Sequence, residues 1–202
     1  GDLGFTTGPY TVGGKPGAQC LLPAENGRRH SPHENPELYA VFPYNLFGVG
    51  KPNLDWALNA WKRRVDRKNG GWEQNSIQAA MLGLAAEAKS LVVGNYRRHA
   101  GGFRFPAMCG PNFDWIPDQD HGTVPMIALQ KICLQTDGDR ILLLPAWPQE
   151  WNVSFKLNAP KQTTVECELR DGKVVRLIVT PESRRNDVEM VFTQTEHNTD
   201  KM

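Results

Sequence analysis

Between residues 53 and 69 the apolar side chains Leu54, Ala57, Leu58, Trp61 and Val65 recur at helical spacing, and Lys62, Arg63, Arg64 and Arg67 fill the other positions. Asn53 stands where a helix cap is expected, and Asn69-Gly70-Gly71 marks the end. A second helix is predicted over residues 73–93, with Ile77, Ala80, Met81, Leu84, Ala88, Leu91 and Val92 on one face and Gly94-Asn95 as its stop. The two together read as a helical hairpin. A third helix, residues 122–134, is apolar nearly all round (Val124, Ile127, Ala128, Leu129, Ile132, Cys133), which implies burial on several sides.

After Asp137-Gly138 the period shortens. Residues 141–144, 153–157, 163–169, 174–180 and 187–192 read as strands, and Asp171-Gly172 is a hairpin turn between two of them. Helices come first and strands afterwards without alternation, so the class is α+β, a helical part followed by a small antiparallel β domain. The resulting division is an extended lead-in over 1–35 with one short strand at 10–12, a helical region over 36–137, a β domain over 138–192 and a polar tail over 193–202. Pro43 interrupts the aromatic run at 38–43, where a short helix or turn is expected.

Composition narrows the function classes. The 23 basic and 22 acidic residues leave a net charge of +1, too little field to collect phosphate backbones or anionic lipid, so neither nucleic acid nor membrane is an expected partner. No run approaches the ~20 apolar residues of a bilayer span. Cys20, Cys109, Cys133 and Cys167 lie far apart and read as plain buried thiols, not as a metal or redox pair. The first residues carry no basic stretch and no apolar segment of a secretory signal.

The segment with most chemistry runs from Phe103 to Gly122. Phe113 and Trp115 offer apolar faces for sugar rings, while Asp114, Asp118 and Asp120 supply carboxylates for hydroxyls or for acid and base work. Against this stands a structural account in which Asp118 or Asp120 caps the following helix and Trp115 is core. Asp118, Asp120 and His121 lack the further ligands of a calcium or zinc site, so no metal and no cofactor is expected. Gly71-Trp72-Glu73-Gln74-Asn75 is a second candidate: Trp72 is either core or a sugar platform, and Glu73 either a ligand or a first-turn partner of the helix dipole. His33, Glu34 and Glu37 read as solvated loop residues. With no phosphate loop, nucleophile elbow or paired metal-ligand helix in the chain, sugar chemistry or sugar binding remains.

The order of four motifs resembles glycoside hydrolase family 95: Glu37-Leu38-Tyr39-Ala40-Val41-Phe42-Pro43, Gly71-Trp72, Pro117-Asp118-Gln119-Asp120-His121-Gly122 and Ile141-Leu142-Leu143-Leu144-Pro145-Ala146-Trp147-Pro148. The likeness spans residues 37–173. It implies the C-terminal portion of an (α/α)6 barrel ahead of the β domain, and inverting hydrolysis of an α-L-fucoside-like or related bond. By register from Gly122, the family's water-positioning aspartate falls on Asp118, while Asp120 and His121 replace its Asn and Phe. Asp118 and Asp120 are thus the catalytic candidates, with Trp72, Glu73, Phe113, Asp114, Trp115 and His121 around the sugar.

The family's general acid precedes the region of likeness. The chain is therefore expected to hold half of an active site, completed by a missing N-terminal part or by another copy. An oligosaccharide or glycan is the expected partner, and the resemblance favours a periplasmic or secreted location. The second function class is a carbohydrate-binding or structural module without catalysis. A partial barrel exposes apolar helix faces, so association through residues 54–65 or 73–93 is also expected.

Overall fold

The structure, a computed structural model, describes residues 6–12, 15–23, 34–69, 73–97 and 119–191; within these, the side chains of 6, 10–12, 15, 16 and 119–121 are not described. Strands β1 (Thr6–Val12) and β2 (Lys15–Leu22) pair antiparallel as a hairpin, so the expected lead-in is a sheet of its own. Cys20 and Leu21 of β2 are buried, and this strand packs on helix α1 (Leu54–Arg63).

Helix α1 ends at Arg63, seven residues before the first of the glycines that the sequence suggested as its stop. Arg64 adopts an extended ψ of 145°, and its side chain turns back over its own helix, with the guanidinium 3.3 Å from the Trp61 ring centroid and Nη1 donating to Trp61 O at 2.7 Å. Arg67 donates to Lys62 O at 2.6 Å and to Arg64 O at 3.2 Å. These guanidinium groups satisfy carbonyls left open by the last turn, where positive charge also suits the helix dipole. At the other end Asn53 sits in the left-handed region, φ 55°, and its side chain makes no capping bond.

The long second helix is broken into α2 (Asn75–Met81) and α3 (Ala85–Arg97). Gly83, at φ 76°, donates to Ala80 O (3.1 Å), and Leu84 donates to Ala79 O (3.0 Å). That 5→2 and 6→1 pair is a Schellman termination, which requires a residue that tolerates the left-handed region. Every residue of α2 is buried; it packs on α3 and on α4 (Gln119–Cys133), whereas α1 packs chiefly on β2. The predicted hairpin of the first two helices is therefore not formed.

Helix α4 is one-sided. Val124, Ala128 and Ile132 are buried at intervals of four, while Met126 is 52% exposed. It is thus not a helix enclosed by an outer ring. Among the described residues no portion of an (α/α)6 barrel is present; the architecture is an α+β mixture of helices with three small sheets. None of these helices is long and apolar enough to cross a membrane.

Strands β3 (Leu134–Asp137) and β4 (Arg140–Leu143) form a tight antiparallel pair that continues α4 directly, and β8 (Val188–Met190) joins β4 in parallel. The second sheet of this half is β5 (Val153–Ala159), β6 (Thr163–Arg170) and β7 (Lys173–Thr180), antiparallel throughout. Its turns carry consecutive positive φ values at Lys161 and Gln162 and at Asp171 and Gly172, which match the right-handed strand twist. On β6 Thr163, Val165, Cys167 and Leu169 face the core; on the other side Glu166 pairs with Lys156 and Arg176, and Glu168 with Arg170. One core runs from Leu38 and Val41 through Trp61, Ile77 and Ile132 to Ile141, Leu143 and Leu169.

Candidate functional site

The short helix α2 carries an unusual load. Ile77, Ala79, Ala80 and Met81 supply its apolar contacts, yet Asn75, Ser76 and Gln78 are as deeply buried, and so is Glu73 just before it. Buried polar groups need partners, since each lost hydrogen bond costs about 1–3 kcal/mol and an unpaired charge more. Part of this cluster is fully supplied. Asn75 Oδ1 accepts from Asn35 Nδ2 (3.2 Å) and from Arg64 Nε (2.9 Å), and its Nδ2 donates to Lys68 O (2.9 Å). Asn35 in turn donates to Asp66 O (2.8 Å) and accepts from Asp66 N (3.1 Å). Asp66 Oδ1 closes a turn by accepting from Lys68 N at 2.9 Å.

Two titrating groups border this network. Burial, then the nearby Arg67, draws the Arg64 guanidinium down to about 10, against the pull of Glu87, Asp66 and Glu37. Tyr39 donates its hydroxyl to Glu34; burial first, then that bond and the Glu34 charge, push the phenol up to about 12. Glu37 is itself buried, at 8% exposure. Glu34 and Glu37 are thus not the solvated loop residues that the local sequence suggests.

The rest of the cluster is not supplied. Glu73 Oε2, Gln74 Oε1, Ser76 Oγ and Gln78 Oε1 are sealed from solvent without a hydrogen-bond partner among the described residues, and Glu73 and Gln78 are 1% and 2% exposed. Gln74 and Gln78, one helical turn apart, line a narrow crevice together with Glu34, Asn35, Tyr39 and Asn75. Oxygen acceptors dominate this crevice and its flank. Their chemical complement is a hydrogen-bond donor, but the crevice as it stands has no room for even a water molecule.

Of the residues singled out in the sequence, Glu73 lies in this cluster, but it precedes α2 and its Gln74 flank, outside the first turn. Trp72, Phe113, Asp114, Trp115 and Asp118 lie outside the described residues. Asp120 and His121 fall in the first turn of α4, which begins at Gln119 and not at Gly122, and their side chains are likewise not described. Among the described residues no group of His, Cys, Asp and Glu has the arrangement of a metal centre. Cys20, Cys133 and Cys167 are buried free thiols.

Sequence reasoning named Asn75 within its second candidate but missed Asn35, Arg64 and Gln78. Amide side chains belong to no short catalytic motif, and their significance lies in being buried. The available signal was the placing of Asn75, Ser76 and Gln78 on a short helix whose other residues, Ile77, Ala79, Ala80 and Met81, are apolar. No family model matches the chain, and no curated protein matches it either.

Proposed function

We propose that this chain serves the hydrolysis of a carbohydrate, as part of an inverting glycoside hydrolase acting on an α-L-fucoside-like or related bond. The observation that carries the reading is Glu73: a carboxyl group buried to 1% exposure, with no partner for Oε2 among the described residues, beside oxygens of Gln74, Ser76 and Gln78 that likewise have none there. Folding alone gives no reason to keep such a group, because an apolar or paired residue would stabilise the site. A saccharide offers hydroxyl donors in number, and its hydroxyls would complement these acceptors in a form of the protein in which the crevice, closed here even to water, is open. In this reading Glu73 and the glutamines hold sugar hydroxyls, Trp72 and Trp115 bound the sugar, and Asp118 or Asp120 takes a proton from the attacking water.

Inversion needs a second carboxyl group on the opposite face, roughly 6.5–9.5 Å from the base, to protonate the leaving oxygen as the glycosidic C–O bond breaks. A second reading is a carbohydrate-binding module without turnover. The preponderance of amide oxygens over carboxylates at the crevice favours it, since amides bind hydroxyls but do not transfer their protons.

The test is turnover of nitrophenyl α-L-fucoside and related glycosides by the full-length gene product beside Asp118→Asn, Asp120→Asn and Glu73→Gln. A loss of 100-fold or more in one aspartate variant supports catalysis, in line with the usual contribution of a positioned base. Equal turnover in all four proteins removes the catalytic assignment. Saccharide binding that depends on Glu73, with no turnover in any of them, selects the binding module.

A further inference from the structure

Away from the buried cluster, a groove of about 930 Å³ lies between α3 and the turn formed by Pro148, Gln149, Glu150 and Trp151. Its volume lies within the roughly 300–1,000 Å³ of small-molecule sites. The wall on the turn side is made of two indoles fixed against each other. Trp147 Nε1 donates to Trp151 O at 2.9 Å, and the rings meet edge to face at 5.7 Å and 70°. Trp147 is buried and Trp151 half-buried, so the first anchors and the second presents part of its ring. A ring held by packing loses little entropy when a ligand stacks on it.

The opposite wall is α3, from which Lys89, Ser90 and Arg97 face the groove. Lys89 bridges the opening: it pairs with Glu150 and lies 5.4 Å from the Trp151 ring centroid. Lys89 holds the Glu150 carboxyl below the usual carboxylate range, so this pair is internally neutral at pH 7. Arg97 is different, being exposed at the end of α3 with no carboxylate partner among the described residues. The lining therefore combines an aromatic platform, a hydroxyl, an amide and one guanidinium that has no carboxylate partner among the described residues. A planar guanidinium pairs bidentately with a carboxylate.

We propose that this groove is a binding site for an acidic saccharide, a uronate-containing oligosaccharide whose ring stacks on Trp151 and whose carboxylate pairs with Arg97. It is separate from the Glu73 cluster, and for the ligand's being a saccharide it rests on the carbohydrate reading above. The charge of the ligand follows from Arg97 alone.

Binding of an α-1,4-linked galacturonate trisaccharide and of its methyl ester is measured by titration calorimetry on the whole chain, beside Trp151→Ala and Arg97→Gln. The acid form binds at least 5-fold more tightly than the ester, and Arg97→Gln removes that preference. Trp151→Ala weakens both ligands 10-fold or more; Arg97→Gln, at an exposed position, keeps the test decisive if Trp151→Ala misfolds. Failure of the wild-type chain to bind either ligand at millimolar concentration overturns the site. Equal affinity for acid and ester, or a preference untouched by Arg97→Gln, overturns the assignment of charge. Repeating the titration with Asp118→Asn separates the two readings: groove binding persists there whether or not the chain turns over a glycoside.

Discussion

The side-chain amide of Asn35 pairs with both main-chain groups of Asp66, donating to its carbonyl at 2.8 Å and accepting from its N–H at 3.1 Å. Thirty-one residues apart in sequence, the two are joined as a strand joins its neighbour, but by a side chain. The irregular stretch after α1 thereby gains hydrogen bonds that neither helix nor sheet provides there. Asn35→Ala leaves the Asp66 N–H without this partner, leaves the Asp66 carbonyl only the longer bond from Asn75 Nδ2 (3.4 Å), and removes a donor from Asn75. It should destabilise the protein by about 2–4 kcal/mol, measured as a lower urea midpoint; a change below 0.5 kcal/mol would show that water replaces the amide.

Gly83 ends α2 at φ 76°. A side chain in this left-handed region costs roughly 1–2 kcal/mol. Gly83→Ala should therefore destabilise by that amount and Gly83→Asn by less, since Asn tolerates the conformation better. Equal unfolding midpoints for wild type and Gly83→Ala would contradict the termination as described.

Glu73 separates stability from function. If its carboxyl group is kept for a ligand, Glu73→Gln leaves stability unchanged or raises it by about 1–3 kcal/mol, while saccharide turnover or binding falls. Denaturation and ligand titration of the same protein sample check both halves. A destabilised variant with unaltered ligand behaviour would make Glu73 a structural residue.

Alkaline pH acts on a buried thiol and a half-buried phenol. Burial, and then the neighbouring Cys167, push the Cys133 thiol from 9.0 up to about 12, and Tyr39 is pushed from 10.0 up to about 12. In both cases folding favours the protonated form. Their contribution is complete below pH 9 for the thiol and pH 10 for the phenol, and it is lost as pH rises towards about 12. The loss is at most about 1.4 kcal/mol per pH unit for each group, and smaller for the less buried Tyr39. Unfolding midpoints from pH 8 to 11 should fall, and Cys133→Ala should flatten the fall that begins above pH 9. Rapid alkylation of Cys133 in the native protein at pH 8.5 would contradict it.

Much of the architecture was legible in local pattern. The alternation at residues 163–169, the Asp171-Gly172 turn and the helical period from Leu54 to Trp61 each report a choice made within a few residues, and the structure places β6, a turn with two positive φ values and α1 there. The continuous apolar face over residues 73–93 misled in an instructive way. Both halves of that stretch are helical and buried on compatible faces, so the period runs through the break, and only Gly83 marks it. The resemblance suggested a barrel because motif order is a one-dimensional property. Which helix packs on which is decided by long-range contact, and α1 found β2 in place of α2.

By itself, the sequence determined the period of each segment, the turns that need left-handed backbone and a nearly neutral charge balance, because these depend on neighbouring residues or on their sum. Tertiary structure alone decided that Asn35, Arg64 and Asn75 form one network, that Glu73 and Gln78 lose their solvent, and that Trp147 and Trp151 face α3 across a groove. The physical reason is burial. The cost of a polar group depends on whether water or a partner reaches it, and both are set by residues far away in the chain.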